Sequence, residues 1–316
     1  MVKLVYTYAL GAYAFRRAGS SPVSRTKMKL SPLRGLFSCK SPILVYNTIC
    51  NMKNNKNSTL NKKLFFGHLL LTFAIVAICW GTCIILSINN ITTKDQKWIY
   101  APWFIGGMSP AIASYIVLKR NKQVIGFGDW IKHVFDFKHN VRAYLLAIAL
   151  PTIQMALMCL ISGYKTGLPL YFLPLMIIAM VFAGGLEEAG WRYITFSELN
   201  KKFNFAISTL ITAIIWWLWH LPLFFIPGVS QFQKNFFVFG IVVLGLSFIL
   251  STIRKLTNSI WLCVLCHAIV NSLGNFFHYD MYGSYIASSI TTATMIAISL
   301  LLVYVSKSYS SQPSRR

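Results

Sequence analysis

Long apolar stretches alternate with short polar segments along most of the chain from residue 65 onwards. A helix needs about 20 mostly apolar residues to cross the hydrocarbon core of a bilayer. The second stretch is the least regular, because Pro102 and Pro110 interrupt and shorten it. We expect an all-α fold, a polytopic transmembrane helix bundle. Its predicted spans, about eight, lie at approximately 65–88, 101–118, 143–163, 169–190, 204–225, 236–253, 257–277 and 285–306.

The chain carries 30 Lys and Arg against 7 Asp and Glu, and 56% of its residues are hydrophobic. In a soluble protein the net charge of +23 would suggest nucleic acid as a partner. This composition is too apolar for an ordinary soluble domain, and the basic residues concentrate in alternate loops, most densely in 119–142, as in cytoplasmic loops of membrane proteins. We therefore expect the lipid bilayer as surroundings, no nucleic acid as partner, and both termini on the cytoplasmic side.

The same pattern divides the chain into four stretches: a basic N-terminal arm at 1–62, the first spans and a basic loop at 63–141, a core at 142–306, and a cytoplasmic tail at 307–316. The loop fits either a short helix in the cytoplasmic interface or an ordinary basic loop. The arm has no acidic residue among its first 51 positions, which is typical of a transit-like presequence. The alternative that we favour is that the chain starts at Met28 or Met52.

Two adjoining acidic residues, Glu187 and Glu188, end the fourth apolar run, and Arg192 follows them. A charged side chain at the centre of a membrane helix costs about 2.5 to 3.5 kcal/mol, so such groups persist mainly where they serve a function. On a helix Glu188 and Arg192 share a face and can neutralise each other, whereas Glu187 is turned about 100° away. The alternative is an interfacial salt bridge that marks the cytoplasmic end of the span.

Two later spans each place a pair of polar or aromatic residues on one helical face. Trp216 and His220 stand four residues apart, as do His267 and Asn271, and the sequence around both pairs is otherwise apolar. A lone histidine in a membrane helix is usually an interhelical hydrogen bonder. Two histidines and an asparagine in addition to paired glutamates favour a reactive site.

These residues resemble the three motifs of the CAAX protease and bacteriocin-processing (Abi) family of intramembrane glutamic proteases, over roughly residues 142–277. The motif EExxxR corresponds to Glu187, Glu188 and Arg192, the motif FxxxH to Trp216 and His220, and the motif HxxxN/D to His267 and Asn271. Trp216 replaces the usual Phe, an exchange that we expect to affect packing more than chemistry. The resemblance implies an eight-helix bundle with a cavity open to the cytoplasmic side.

The resemblance also implies a mechanism for peptide hydrolysis. Glu187 would be the general base, His220 would help to hold the attacking water, and His267 with Asn271 would donate hydrogen bonds to the oxyanion. Glu188 and Arg192 would be structural. No cofactor is expected, and zinc held by two histidines and a glutamate is the alternative. The expected partner is a peptide or protein substrate at the membrane.

The predicted spans place the two water-binding groups at different depths. At 1.5 Å per residue His220 lies about 24 Å from the cytoplasmic start of its span, whereas Glu187 lies close to the cytoplasmic end of the span 169–190. For the two to meet, the fifth helix must start deeper or the fourth must tilt. Gly184 and Gly185 permit a kink or a close helix approach.

Two functions other than an intramembrane endopeptidase fit the same residues. A non-catalytic immunity or scaffold protein of this fold would bind a peptide or sensor kinase, and a transporter would use Glu and His as a proton relay. The Lys-, Asn- and Ile-rich sequence after residue 52 is typical of an AT-rich bacterial genome. We therefore expect a multi-pass protein of a bacterial cell membrane, and the residues do not select its substrate.

Overall fold

The computed structural model describes residues 59–91, 96–278 and 284–311. Most of the predicted N-terminal arm, including Met28 and Met52, lies outside the described residues, as does the end of the predicted tail. Within the described part nearly all regular structure is helical, which confirms the all-α prediction. The α-helices are α1 (Lys62–Ile88), α2 (Tyr100–Gly107), α3 (Ser109–Arg120), α4 (Phe127–Val134), α5 (Val141–Ser162), α6 (Leu173–Phe182), α7 (Glu188–Gly190), α8 (Ser197–Lys202), α9 (Phe205–Trp219), α10 (Phe236–Thr257), α11 (Trp261–Leu273) and α12 (Tyr285–Ser311).

Short segments of other geometry connect several of these helices. The 3-10 turns are Lys97–Ile99, Leu170–Phe172, Gly185–Glu187 and Leu221–Phe225, and a π-helical segment covers Trp191–Phe196. Two strands of two residues, β1 (Lys165–Thr166) and β2 (Phe277–His278), pair antiparallel. Asparagine side chains cap the N-termini of α1, α5, α9 and α10, where they accept hydrogen bonds from backbone N–H groups of the first turn.

Six helical segments of the described chain are long and apolar enough to cross a bilayer, and a seventh is counted if α2 and α3, which meet at a 47° bend, form one span. This confirms a polytopic helical bundle. All eight predicted spans contain helix, but the seventh is the 13-residue α11. At about 20 Å, α11 is shorter than the roughly 30 Å hydrocarbon core.

The short helix α11 runs in the same direction as α5. Near the start of both helices, the indole N–H of Trp261 donates to the hydroxyl of Tyr144 over 3.2 Å. Beyond their ends, β1 follows α5 and pairs with β2, which follows α11. The loops at both ends of α11 therefore lie beside the corresponding loops of α5, as the alternating arrangement of eight segments requires. Which face is cytoplasmic stays a prediction.

The fourth span differs from its predicted bounds. It was expected at 169–190, but the helical segment extends over Leu170–Lys202, which is 33 residues. Its second half contains Arg192, Thr195 and Glu198, whose polar side chains lowered the apparent hydropathy although all three are buried. The glutamate pair therefore lies near the middle of the helical segment and does not mark its end, whereas its depth relative to the membrane interface stays a prediction.

The helix α4 occupies part of the basic loop for which two interpretations were open. It buries Trp130 and Val134, and the indole N–H of Trp130 donates to the hydroxyl of Ser114 in α3 over 3.0 Å. The helix therefore packs on the bundle through its apolar face. Its predicted position in the membrane interface stays a prediction.

Candidate active site

Five of the predicted site residues form one buried group between α7, the π segment, α9 and α11. We call these residues the polar cluster: Glu187, Glu188, Arg192, His220 and His267. Glu188 and Arg192 are fully buried, and the other three are at most 8% exposed. The sixth predicted residue, Asn271, lies one turn after His267 on α11. Buried charges require partners, so each contact in the cluster bears on its chemistry.

The backbone breaks at Gly184, directly before the polar cluster. Its φ of 144° is a conformation that side chains with a Cβ rarely adopt, and its carbonyl accepts from the N–H of Glu187 over 2.9 Å. A Cβ on Gly184 would lie 2.3 Å from Nδ2 of Asn271 and 3.6 Å from Nε2 of His267. A Cβ on Gly185 would lie 2.8 Å from the carbonyl oxygen of Val264. The two glycines thus allow the fourth span to touch α11, as the sequence suggested.

Glu188 binds two partners at once. Its Oε2 lies 3.1 Å from Nη1 of Arg192, an ion pair without linear hydrogen-bond geometry, and its Oε1 accepts from Nδ1 of His267 over 2.9 Å. Because a carboxylate accepts, Nδ1 of His267 carries the hydrogen, and Nε2 faces Gly184. Arg192 also donates through Nη2 to the hydroxyl of Ser247 on α10 over 2.9 Å. Glu188 and Arg192 share a face, as predicted, and together they fix His267.

Glu187 has different surroundings from its neighbour. Its Oε2 accepts a hydrogen bond of 2.9 Å from the indole N–H of Trp216, which is 1% exposed. The indole N–H of Trp191 is buried near the same carboxylate without hydrogen-bond geometry. Phenylalanine could not make the Trp216 contact. The exchange of Phe for Trp therefore alters the polar contacts of the site, contrary to the expectation that it affects mainly packing.

The ring of His220 is held at the other end of the same tryptophan. Its Nδ1 lies 2.8 Å from the carbonyl oxygen of Trp216. A carbonyl can only accept, so Nδ1 donates, and Nε2 of the neutral ring is left as an acceptor. The rings of Trp219 and Phe239 contact the imidazole at centroid distances of 4.6 and 4.8 Å. Aromatic side chains therefore surround an imidazole whose Nε2 is the hydrogen-bond acceptor.

The depths of Glu187 and His220 agree once the true end of the fourth span is used. Glu187 lies fifteen residues before Lys202, and His220 lies fifteen residues after Phe205, on either side of a tight turn. At 1.5 Å per residue both are about 22 Å from that turn. The difference in depth that the predicted spans implied came from placing the end of the fourth span at residue 190.

Comparison with known proteins shows a similarity over the part of the chain that holds this arrangement. Residues 169–273 match the family model for type II CAAX prenyl endopeptidase Rce1-like proteins, and this stretch contains all six predicted site residues. CAAX prenyl protease 2 from Methanococcus maripaludis is 27% identical over 220 residues, which cover 65% of this chain and 76% of the relative. Over this stretch the chain is similar to the Rce1-like CAAX prenyl endopeptidases. The resemblance to which the motifs pointed is thereby confirmed, and together with the apolar helices it supports an endopeptidase that is a multi-pass membrane protein.

Sequence reasoning about this Rce1-like chain missed two buried polar partners. Ser247 contacts Arg192, and nothing in the sequence distinguishes it from other serines in apolar helices. His68 on α1 is fully buried, with Nδ1 3.2 Å from the hydroxyl of Thr195 and Nε2 3.2 Å from the carbonyl oxygen of Pro110. Its position inside the first predicted span was the available signal. These contacts join α1, α3 and the π segment.

The zinc alternative was also compared with the geometry of this Rce1-like site. Within the described ranges, no group of three or more His, Cys, Asp and Glu side chains is arranged to hold a metal ion. Both carboxylate oxygens of Glu188 already contact His267 and Arg192.

Proposed function

We propose that this chain hydrolyses a peptide bond inside the membrane with a water molecule activated by Glu187, and that it uses no metal or other cofactor. The observation that carries the proposal is the difference between two adjacent carboxylates in one buried cluster. Glu188 is engaged through both oxygens, by Arg192 and His267. Glu187 accepts a hydrogen bond of good geometry at Oε2 only, from Trp216. Glu187 is therefore the carboxylate with an oxygen available to a water molecule.

The first step is attack of water on the scissile carbonyl. Glu187 removes one proton from the water while Nε2 of His220 accepts a hydrogen bond from the O–H that remains. The water oxygen bonds to the carbonyl carbon, and the carbonyl π electrons move to its oxygen. As the C–N bond breaks, Glu187 returns the proton to the leaving nitrogen. The hydrogen bond from Nδ1 of His220 to the Trp216 carbonyl supports this role, because it leaves Nε2 as an acceptor.

The oxyanion is stabilised beside Gly184. Nδ2 of Asn271 and Nε2 of His267 lie 2.3 and 3.6 Å from the position that a Cβ on this residue would occupy, so the glycine lets both nitrogens approach the same point. Nδ2 donates directly. Since Nδ1 of His267 already donates to Glu188, its Nε2 donates only when the ring carries a proton on each nitrogen. Loss of one such donor typically reduces rate by about 10²- to 10³-fold.

The substrate class follows from the relative's name. CAAX prenyl protease 2 is named for prenylated C-terminal CAAX segments, so a prenylated peptide is the first substrate to test. A membrane-bound peptide without a prenyl group is the second, since maturation of a peptide toxin or a self-immunity role stays open. In both cases the partner is a peptide or protein at the membrane.

The test is Glu187→Gln in the purified full chain, assayed in lipid vesicles against a prenylated peptide. Glutamine keeps the size of the side chain and can accept from Trp216, but it cannot act as the base. We expect cleavage to fall by about 10²- to 10⁴-fold, with an unchanged melting temperature. The matched control is Glu198→Gln, a buried glutamate of the same span that pairs with Lys201 outside the polar cluster. It should retain cleavage.

Three outcomes would overturn parts of the proposal. If Glu187→Gln cleaves as fast as Glu198→Gln, Glu187 is not the base. If a chelator abolishes wild-type cleavage and added zinc restores it, the reaction depends on a metal. If the wild type cleaves neither peptide and a cellular immunity phenotype survives Glu187→Gln, the non-catalytic alternative replaces the enzyme.

A further inference from the structure

We propose that Trp216 is a positioning residue for the reaction, and that its indole N–H fixes the carboxylate of Glu187 so that Oε1 points to the attacking water. This inference rests on the proposed function. The phenylalanine usual in the motif has no N–H group, so this hydrogen bond is possible only because this chain has tryptophan at position 216. Three sets of contacts around Trp216 support it.

The first contact is the hydrogen bond itself. The donor Nε1 of Trp216 and the acceptor Oε2 of Glu187 are 2.9 Å apart, and both side chains are buried. A hydrogen bond to a carboxylate in a dry site is strong and directional. It restricts rotation of the carboxylate about its terminal bond, which is otherwise soft. Oε2 thereby binds the indole N–H, and Oε1 remains to bind the water molecule.

The second set of contacts fixes the indole ring. The guanidinium of Arg192 lies over the ring, 4.7 Å from its centroid, as in a cation–π pair. The imidazole of His267 meets the ring edge-on at a centroid distance of 5.4 Å. Both residues are held by Glu188. The orientation of the indole, and through it that of Glu187, therefore depends on Glu188 and on the two residues that Glu188 holds.

The third contact comes from the backbone of the same residue. The carbonyl oxygen of Trp216 accepts from Nδ1 of His220 over 2.8 Å. Trp216 thus orients both groups proposed to hold the water, Glu187 through its side chain and His220 through its main chain. A substitution of the side chain keeps the main-chain contact. It can therefore isolate the contribution of the indole N–H.

The experiment replaces Trp216 in the full-length chain in lipid vesicles, with kcat and KM measured for the peptide that the wild type cleaves. Trp216→Phe keeps an aromatic ring and removes the donor. A second variant carries 3-benzothienylalanine at position 216, which keeps the bicyclic shape and replaces N–H by sulfur. We expect both to lower kcat by about 10- to 100-fold, with KM within about twofold of wild type. A merely structural loss would reduce the fraction of folded protein without this split.

The matched control is Trp217→Phe. The indole N–H of Trp217 donates to the carbonyl oxygen of Phe236 over 2.9 Å, outside the polar cluster. The Trp217→Phe variant also loses an indole N–H, one position away from Trp216. Its kcat should stay within about twofold of wild type. If the benzothienyl variant is folded and keeps wild-type kcat, the positioning role is wrong.

The outcomes separate this inference from the proposed function. If Glu187→Gln is inactive while both Trp216 variants are fully active, Glu187 remains the base and the positioning role fails. If Glu187→Gln is active, the proposed function itself fails. If Trp216→Phe does not fold, the isosteric benzothienyl variant decides.

Discussion

At the scale of single residues, the site depends on two neighbours of the same chemical type having different partners. Glu188 is fully buried and paired with Arg192 and His267. A buried ion pair is costly unless its charges are well compensated, and here an imidazole and a serine hydroxyl complete the compensation. Glu187 is held by one indole N–H. Adjacent carboxylates thus have different partners, which is the difference on which the proposed roles rest.

Replacement of Gly184 by alanine tests the close approach of this residue to the two proposed oxyanion donors, Asn271 and His267. The added Cβ would lie 2.3 Å from Nδ2 of Asn271, and the φ of 144° is strained for alanine. We expect a loss of about 1 to 3 kcal/mol in stability and at least a tenfold lower kcat. Thermal unfolding and peptide cleavage measure the two effects. Gly81→Ala on α1, where a Cβ meets nothing within 4 Å, is the control, and equal behaviour of both variants would contradict the assignment.

The roles of these residues could be predicted from the sequence only in part. Because Glu188 and Arg192 are four residues apart, the sequence predicted that they share a helical face and pair, and that ion pair is observed. Spacing within a helix cannot show which helix a side chain meets, so the bonds from Trp216 to Glu187 and from His267 to Glu188 were not foreseen. These contacts depend on how α7, α9 and α11 are rotated about their axes.

At the scale of elements, the irregular geometry of the fourth span determines where Glu187, Glu188 and Arg192 lie. A 3-10 turn follows the break at Gly184, and a π-helical segment covers Trp191–Phe196. Such π segments often occur at functional sites. Hydropathy predicted where the spans lie, because apolar runs are long. It failed at the end of this span, because three polar residues of its second half, Arg192, Thr195 and Glu198, are buried against neighbouring helices.

The packing of the fourth span on α1 and α3 can be tested at Gly190. A Cβ there would lie 2.6 Å from Nε2 of His68 and 2.7 Å from the carbonyl oxygen of Pro110. We expect Gly190→Ala to reduce stability by about 1 to 3 kcal/mol through overpacking, measured by thermal unfolding in detergent. Gly67→Ala is the control, because its Cβ would make ordinary contacts with Val117 at 3.6 Å and beyond. A Gly190→Ala variant as stable as wild type would show that α1 and α3 can move apart to accommodate the added methyl group.

At the scale of the whole molecule, the antiparallel pair of β1 and β2 fixes the direction of α11 relative to α5. If α11 crosses between the two faces as α5 does, the described part has eight crossing segments. The start of α1 and the end of α12 then lie on one side. The positive charge of the loop 119–142 predicts that this side is cytoplasmic.

Labelling of single cysteines tests this arrangement. In a background with all seven native cysteines replaced, we expect Lys63→Cys and Lys307→Cys to react with an impermeant maleimide from the same side of sealed vesicles. Lys165→Cys, in β1, should react only from the other side. Thr195→Cys, at a fully buried position, should react from neither. Reaction of Lys165→Cys and Lys63→Cys from one side would contradict the eight-segment arrangement.

The position of Glu187 and His220, about 22 Å along their helices from the turn that joins them, limits how a substrate can arrive. An extended peptide covers about 3.3 Å per residue. If the peptide enters beside that turn, roughly seven residues lie between the turn and the scissile bond. A tail of three residues that hangs from a lipid anchor at the surface is too short for this distance. Such a tail can be cut only if the anchored residue itself enters the bundle, between helices or from the lipid.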